Sequence, residues 1–417
     1  MGKPVFKVMG GVCLWVLTCI LLASTVQAAG FGIYEWSARG NAMGGALIAT
    51  QDADASAIAY NPATMTQIDD AAVLVGSSLI APKFEVERAG SSFTNKSQLF
   101  AVPHAYGVAK AADKVWIGFG EYTRFGLGTR YDQSWSGKRS LYDVQFATFE
   151  GQPTIAFQAT EDLSIGVGVE LFYGTIDLKK FTESPLAPGV LVDTRMRVDG
   201  FAVGANLSAY YQINDQWAAG FVYRSPMDLH GSGTVKFTPG NPLGLSDGPM
   251  TLDATLPASY SLGLSYKPTE AWSIELDAIY TQWELYKKMT FGFSAATGLP
   301  TESESIKHWK NVWRMQLGTE YAATDWLDLR AGYIWDQSPI RQGHADYMLP
   351  SNDRMLFSGG LGFHFLDNWT VDAYYVYLKG KDRKGVKITE NAVVGTITSD
   401  FKGAHANIGA LSIGYEF

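Results

Sequence analysis

The sequence predicts an all-β fold, a transmembrane antiparallel β-barrel of about fourteen strands with an N-terminal plug in its lumen. Three observations lead there. Apolar and polar residues alternate over most of the chain, short polar turns recur with tryptophan beside them, and an export leader precedes both.

The leader is read at residues 1–28. Lys3 and Lys7 precede an apolar run over residues 8–23, and small residues follow, ending Val26-Gln27-Ala28-Ala29. This is the three-part layout of a cleaved secretory signal. The run holds only about 16 residues, short of the roughly 20 that cross a bilayer as a helix. Both cysteines, Cys13 and Cys19, lie within it, so the exported chain would carry no thiol for a disulfide or a metal. The apolar run continues through Ile20, Leu21 and Leu22, which argues against lipid attachment at Cys19.

The chain has 33 basic and 41 acidic residues, a formal charge of −8. Loss of Lys3 and Lys7 with the leader makes it more negative still, which speaks against a nucleic-acid partner. Beyond the leader no run reaches 18 consecutive apolar residues, so no spanning helix is expected. A closed barrel can still cross, because closure pairs every backbone N–H and C=O internally.

Residues 29–70 come first in the exported chain. They alternate poorly and are dense in Ala, Gly, Asp and Asn, with Gly40, Gly44 and Gly45 giving the backbone freedom to pack closely. Phe31, Ile33, Trp36, Leu47 and Ile48 favour a packed plug, or hatch, over a solvated tail. The barrel is read over residues 71–417.

Strands are expected near 71–84, 98–109, 115–123, 142–159, 163–179, 194–212, 217–237, 251–267, 272–293, 307–322, 327–336, 354–366, 369–379 and 404–417. In the ninth, Trp272, Ile274, Leu276, Ala278 and Tyr280 oppose Ser273, Glu275 and Asp277, as lipid outside and a polar lumen inside require. Trp313, Met315, Leu317 and Tyr321 oppose Arg314, Gln316 and Glu320 in the same way. A large soluble sandwich would alternate too. Its turns, however, have no reason to repeat tryptophan.

Short polar turns fall at 109–114, 160–162, 214–216, 268–270, 323–325 and 367–368, and Trp116, Trp217, Trp272, Trp326 and Trp369 follow five of them. Indole rings beside five of six turns at one end suit an interfacial girdle. Longer Gly-, Pro-, Ser- and Asp-rich connections at 225–249, 337–353 and 379–402 mark the other end, the asymmetry of a Gram-negative outer-membrane protein. The last strand sets Leu411, Ile413, Tyr415 and Phe417 on one face. A terminal aromatic so placed resembles the signal read by the barrel-insertion machinery, which is expected as a partner together with outer-membrane lipid.

The runs G-F-G-I-Y-E-W-S-A-R-G-N-A-M-G-G-A and D-A-D-A-S-A-I-A-Y-N-P-A-T-M, centred on Asn61-Pro62-Ala63, resemble the N-terminal hatch of the FadL/TodX family of outer-membrane channels for long-chain fatty acids and aromatic hydrocarbons. Further likeness lies in Y-R-S at 223–225, L-P at 256–257, W-K-N-V-W-R-M-Q-L-G-T-E-Y from Trp309, and D-Q-S-P with P-S-N-D-R around 336–354. The resemblance implies passive, hatch-gated entry of a hydrophobic small molecule, with lateral release where the third strand kinks inward. It places Phe31 against the ligand, with packing of the plug as the alternative role. It places Asn61, Pro62 and Ala63 where hatch meets barrel, and a rigid turn would serve there equally.

Gly118 and Gly120 are the kink candidates, since glycine inside a strand often marks a bend. Lys310 and Arg314 match basic positions of the family and are candidate partners for a ligand carboxylate. Arg195 and Arg197, on one side of the sixth strand, are further cations. Thr175 stands where fatty-acid members carry an arginine, a departure that leaves hydrocarbons open as the substrate.

An open porin, an adhesive or structural barrel, and a barrel enzyme such as a phospholipase are the rival readings. The six histidines are scattered and no G-x-S-x-G elbow exists, which disfavours catalysis. No metal site and no cofactor is expected.

Overall fold

The computed structural model describes residues 30–350, 352–366 and 368–417, so the expected leader at 1–28 lies outside the described residues. The fourteen strands are present. They are β1 (Ala71–Arg88), β2 (Phe100–Ala112), β3 (Val115–Tyr122 and Leu127–Arg130), β4 (Asp143–Gln158), β5 (Leu163–Ser184), β6 (Ala187–Gln212), β7 (Trp217–Arg224 and Met227–Phe237) and β8 (Gly248–Leu256 and Ser259–Thr269). After these come β9 (Trp272–Thr281 and Lys288–Phe293), β10 (Val312–Thr324), β11 (Leu327–Asp336), β12 (Arg354–Phe365), β13 (Trp369–Gly380) and β14 (Thr396–Glu416). Each pairs antiparallel with its neighbour in sequence, and β14 pairs back onto β1 from Glu416–Ala72 to Ser399–Arg88, closing the ring.

Alternation decides which way each side chain points. Along β5, Ile165, Val167, Val169, Leu171 and Tyr173 are exposed on the outer face, while Ser164, Glu170 and Phe172 are buried in the lumen. Among the described residues no helix is long and apolar enough to cross a membrane; the strands supply the apolar band.

Several strands run further than alternation suggested. β5 and β6 continue as a paired ribbon to Ser184–Ala187, β1 to Arg88, and β14 begins at Thr396. Already before these extensions the outward positions turn polar, at Thr175, Asp177, Lys179, Arg195 and Arg197, so the apolar–polar rhythm stops although the hydrogen-bond ladder does not. One tryptophan departs from the girdle. Trp217, Trp272, Trp326 and Trp369 are exposed outward, but Trp116 is 2% exposed and donates its indole N–H to Ile68 O at 2.7 Å. Ile117 and Phe119 take the lipid-facing positions of β3, which turns Trp116 inward.

Residues 30–70 lie inside the ring and are almost wholly buried. They form α1 (Ala38–Ala42), capped by Ser37 accepting from Gly40 N, then α2 (Ala57–Tyr60) and a 3₁₀ turn at Pro62–Gln67. Pro62 opens that turn, where a missing N–H costs nothing. The wall approaches this segment so closely that some positions admit only glycine. A Cβ on Gly220 would stand 1.9 Å from Ile48 O, and one on Gly318 2.3 Å from Met43 O.

Gly220→Ala is therefore expected to displace the backbone at Ile48, at a cost of about 1–3 kcal/mol typical of overpacking. Amide exchange at residues 47–49 should quicken while the heat-modifiable gel mobility of the folded barrel persists. Unchanged exchange in the variant would show that the wall, and not the segment, gives way.

Candidate ligand-binding site in the barrel lumen

The wall is irregular at one place. The β2–β3 ladder runs from Ala112–Val115 to Ala105–Glu121 and stops there, so residues 100–104 of β2 pair with β1 on one side and, among the described residues, with no strand on the other. Pro103, which has no N–H to leave orphaned, belongs to this stretch. Residues 123–126 of the third strand turn into the lumen, and Thr123, Arg124 and Phe125 are all buried, the alternation lost. Lys96 N donates to Arg130 O at 2.8 Å above the interruption.

The inturned residues pair with the N-terminal segment instead. Ile33 N donates to Arg124 O at 2.7 Å, Gly126 N to Phe31 O at 2.8 Å, and the Trp36 indole to Thr123 O at 3.0 Å. Thr123 Oγ1 donates to Thr148 O at 3.0 Å, and the Thr148 hydroxyl to Phe125 O. Gly30, at φ +63°, packs so close to Trp283 that a Cβ would lie 2.6 Å from the indole.

Phe31 is the centre of a cluster of rings. Its ring centroid is 4.8 Å from that of Trp283, 5.1 Å from Tyr286, and 5.7 Å from Phe125, Phe146 and Trp309. On one side it closes a cavity lined by Leu127, Val144, Phe146, Ile176, Leu178, Leu229, Leu256, Met289, Phe291 and Met348. Among the described residues no charged side chain lines that cavity.

A second cavity lies beyond Phe125 and Trp283. Tyr34, Trp36, Tyr60, Ser259, Ser261, Thr281 and Gln316 line it, together with Arg124 and Arg224. The two arginines meet two buried carboxylates. Arg124 Nη1 lies 2.5 Å from Glu170 Oε2 and 3.6 Å from Glu150 Oε1. Arg224 bonds Glu170 as well, lies 3.8 Å from Glu150, and donates to Tyr122 Oη at 2.8 Å and to Ala59 O at 2.6 Å. Arg224 also stacks 5.6 Å above Trp36.

The candidates from the sequence are not gathered at one point. Phe31 lines the apolar cavity. Asn61, Pro62 and Ala63 sit where the segment meets the wall, and neither cavity includes them. Asn61 donates to Ile48 O at 2.6 Å and Ala209 O at 3.1 Å, and its Oδ1 accepts from Ala63 N at 3.0 Å. Ala63 N also reaches Ser208 Oγ at 3.1 Å. One side chain thus ties two stretches of the segment to β6.

Lys310 is exposed, and Arg314, though buried, lines neither cavity. Arg314 bonds Asp336 at 2.8 Å and stacks 4.1 Å over Tyr34, so its charge is spent on fastening the segment. Thr175 points outward and donates to Asp199, and Arg195 pairs with Asp177 on the outer surface. A bend at Gly118 and Gly120 is not found. Both lie in unbroken ladders with β2 and β4, and the irregularity begins at Thr123. Their role is room. A Cβ on Gly118 would meet Ile58 at 2.8 Å, and one on Gly120 would meet Tyr106 at 2.7 Å.

Reading the sequence missed Arg124, Arg224, Glu150 and Glu170. Two signals were available. Glu170 is the one charged residue on the inward face of β5's apolar-out stretch, and Arg224 is the centre of the Y-R-S motif.

Asn61→Ala would leave the carbonyl of Ile48 unpaired and cut the tie to Ala209 O, at about 1–3 kcal/mol for the buried group left without a partner. The expected result is faster amide exchange through residues 47–64 with barrel strands unaffected. Equal exchange in wild type and variant would deny Asn61 this fastening role.

Over residues 19–417 the chain matches the family described as outer membrane protein transport protein (OMPP1/FadL/TodX). It is 25% identical to the 47 kDa outer membrane protein of Pasteurella multocida strain Pm70 over 432 residues, covering 95% of this chain and 96% of that protein. In fold it is similar to a Pseudomonas aeruginosa FadL homologue, with TM-score 0.84 and 19% identity over 93% of this chain and 100% of the other. It is also similar to the Pseudomonas putida toluene transporter TodX, with TM-score 0.73 and 18% identity over 94% and 100%. A closed fourteen-strand barrel and a match across nearly the whole length lead to one conclusion: this chain is an outer-membrane protein belonging to the OMPP1/FadL/TodX family of transport proteins.

Proposed function

We propose that the protein is a passive channel for hydrophobic compounds such as long-chain fatty acids or hydrocarbons, with residues 29–70 as a hatch in a barrel of residues 71–417. The carrying observation is that an apolar cavity, Phe31 and the interrupted stretch of wall adjoin one another. An apolar molecule gains about 0.8 kcal/mol per buried methylene, and a water-filled pore would forfeit that gain. A route from the cavity past Phe31 and sideways through the wall into lipid keeps the molecule out of water.

In this reading Phe31 contacts the ligand and, through the bond from Gly126 N to its carbonyl, couples the hatch to the inturned strand. Asn61, Pro62 and Ala63 hold the hatch in register. Outer-membrane lipid receives the released compound, and the insertion machinery reads the strand that ends at Phe417.

Cells making the intact protein, Phe31→Ala or Pro103→Trp would be given labelled alkanes, alkylbenzenes, long-chain fatty acids and small sugars. Intact protein should speed entry of at least one apolar class. Phe31→Ala should reduce that gain about tenfold, the equivalent of 1.4 kcal/mol of lost ligand contact. Pro103→Trp, which puts bulk at the interrupted wall, should leave binding to purified protein intact and abolish uptake. Entry of sugars without entry of apolar compounds would make the protein an open porin.

A further inference from the structure

The charges beside the second cavity bear on which hydrophobe is taken, given the uptake reading above. Arg124 and Arg224 reach the cavity, yet their two charges are matched by Glu150 and Glu170, and all four side chains are buried. Glu170 is bonded to both guanidiniums. Glu150 lies 3.6 Å from Arg124 and 3.8 Å from Arg224, and neither of its oxygens has a hydrogen-bond partner among the described residues. Its nearness to both guanidiniums makes it a countercharge to them, against the desolvation that opposes its ionised form.

A ligand carboxylate arriving there would be a third negative group facing two cations that are already neutralised. It would shed its hydration without gaining a free partner. One neighbouring feature agrees. The indole N–H of Trp309, in the ring cluster around Phe31, is buried and unpartnered among the described residues, a neutral donor suited to a neutral acceptor.

From this arrangement we infer that the site takes uncharged apolar molecules, either hydrocarbons or compounds carrying a single neutral acceptor such as an ester. Glu150 and Glu170 exclude long-chain carboxylates by cancelling Arg124 and Arg224.

The test uses the purified full-length barrel in detergent at neutral pH, with n-butylbenzene, methyl decanoate and decanoate as probes, read by tryptophan fluorescence and by calorimetry. Intact protein should prefer methyl decanoate to decanoate by about tenfold or more. Glu150→Gln, and Glu170→Gln as a second variant, each uncover one positive charge. Each should tighten decanoate binding about tenfold while leaving the ester unchanged. Glu150→Asp keeps the charge and should keep the preference.

Equal affinity of the intact protein for ester and carboxylate overturns the inference without needing any variant. A glutamine variant that shifts both ligands alike overturns it too, since that marks a structural effect. If the folded protein binds none of the three probes, the uptake reading itself falls; if it binds all three alike, only the charge selectivity does.

Discussion

Within hydrocarbon no water is available to satisfy a backbone N–H or C=O, so a sheet that crosses a membrane has to close on itself. The ladder between β14 and β1 meets that demand over nearly the full length of both strands. Where β2 and β3 part company, the same demand returns in a local form. The groups of Thr123, Arg124 and Gly126 that no longer serve β2 are taken up by Trp36, Ile33 and Phe31. An opening in this wall is tolerable because the N-terminal segment acts as a surrogate strand behind it.

The polar inner face of the barrel is spent mainly on holding that segment. Asp277 accepts from the backbone of Leu47 and Ile48, Glu275 from Ala49, and Arg39 reaches out to Glu320. Buried ion pairs of this kind add little net stability, because desolvation offsets the attraction. What they do supply is a single position, since a displaced segment would strand several charges without partners. Inward glycines complete the fit. At Gly220, Gly318 and Gly332 the backbone of the segment lies where a Cβ would have to go.

The barrel was legible in the sequence because lipid on one face and a polar lumen on the other impose a two-residue rhythm that few other environments require. The rhythm fails where its cause fails. Toward the long-loop end the outer face of β5 and β6 is polar while the inner face stays buried, so the strands outlast their pattern; in β3 the lumen side carries Trp116 and Tyr122 against a packed segment, so an indole beside a turn was misread as interfacial. The site was harder. Glycine marks bends and close contacts alike, and only the ladder distinguishes Gly118 from a kink. Arg314 and Arg224 are both inward arginines within motifs that resemble the family's, yet one fastens the segment and the other borders a cavity, a difference set by which residues come near in space. Phe31 was legible by resemblance, and its surrounding rings, drawn from four distant parts of the chain, were not.

The way the segment is fastened also constrains the order of assembly. Residues 38–49 bond to β9 through Asp277 and Glu275, to β10 through Glu320, to β12 through Ser358 and to β14 through Ser412. Contacts so far apart in sequence form late and slowly. A segment that precedes every strand of the barrel in sequence can therefore finish folding only when the last strand has been placed.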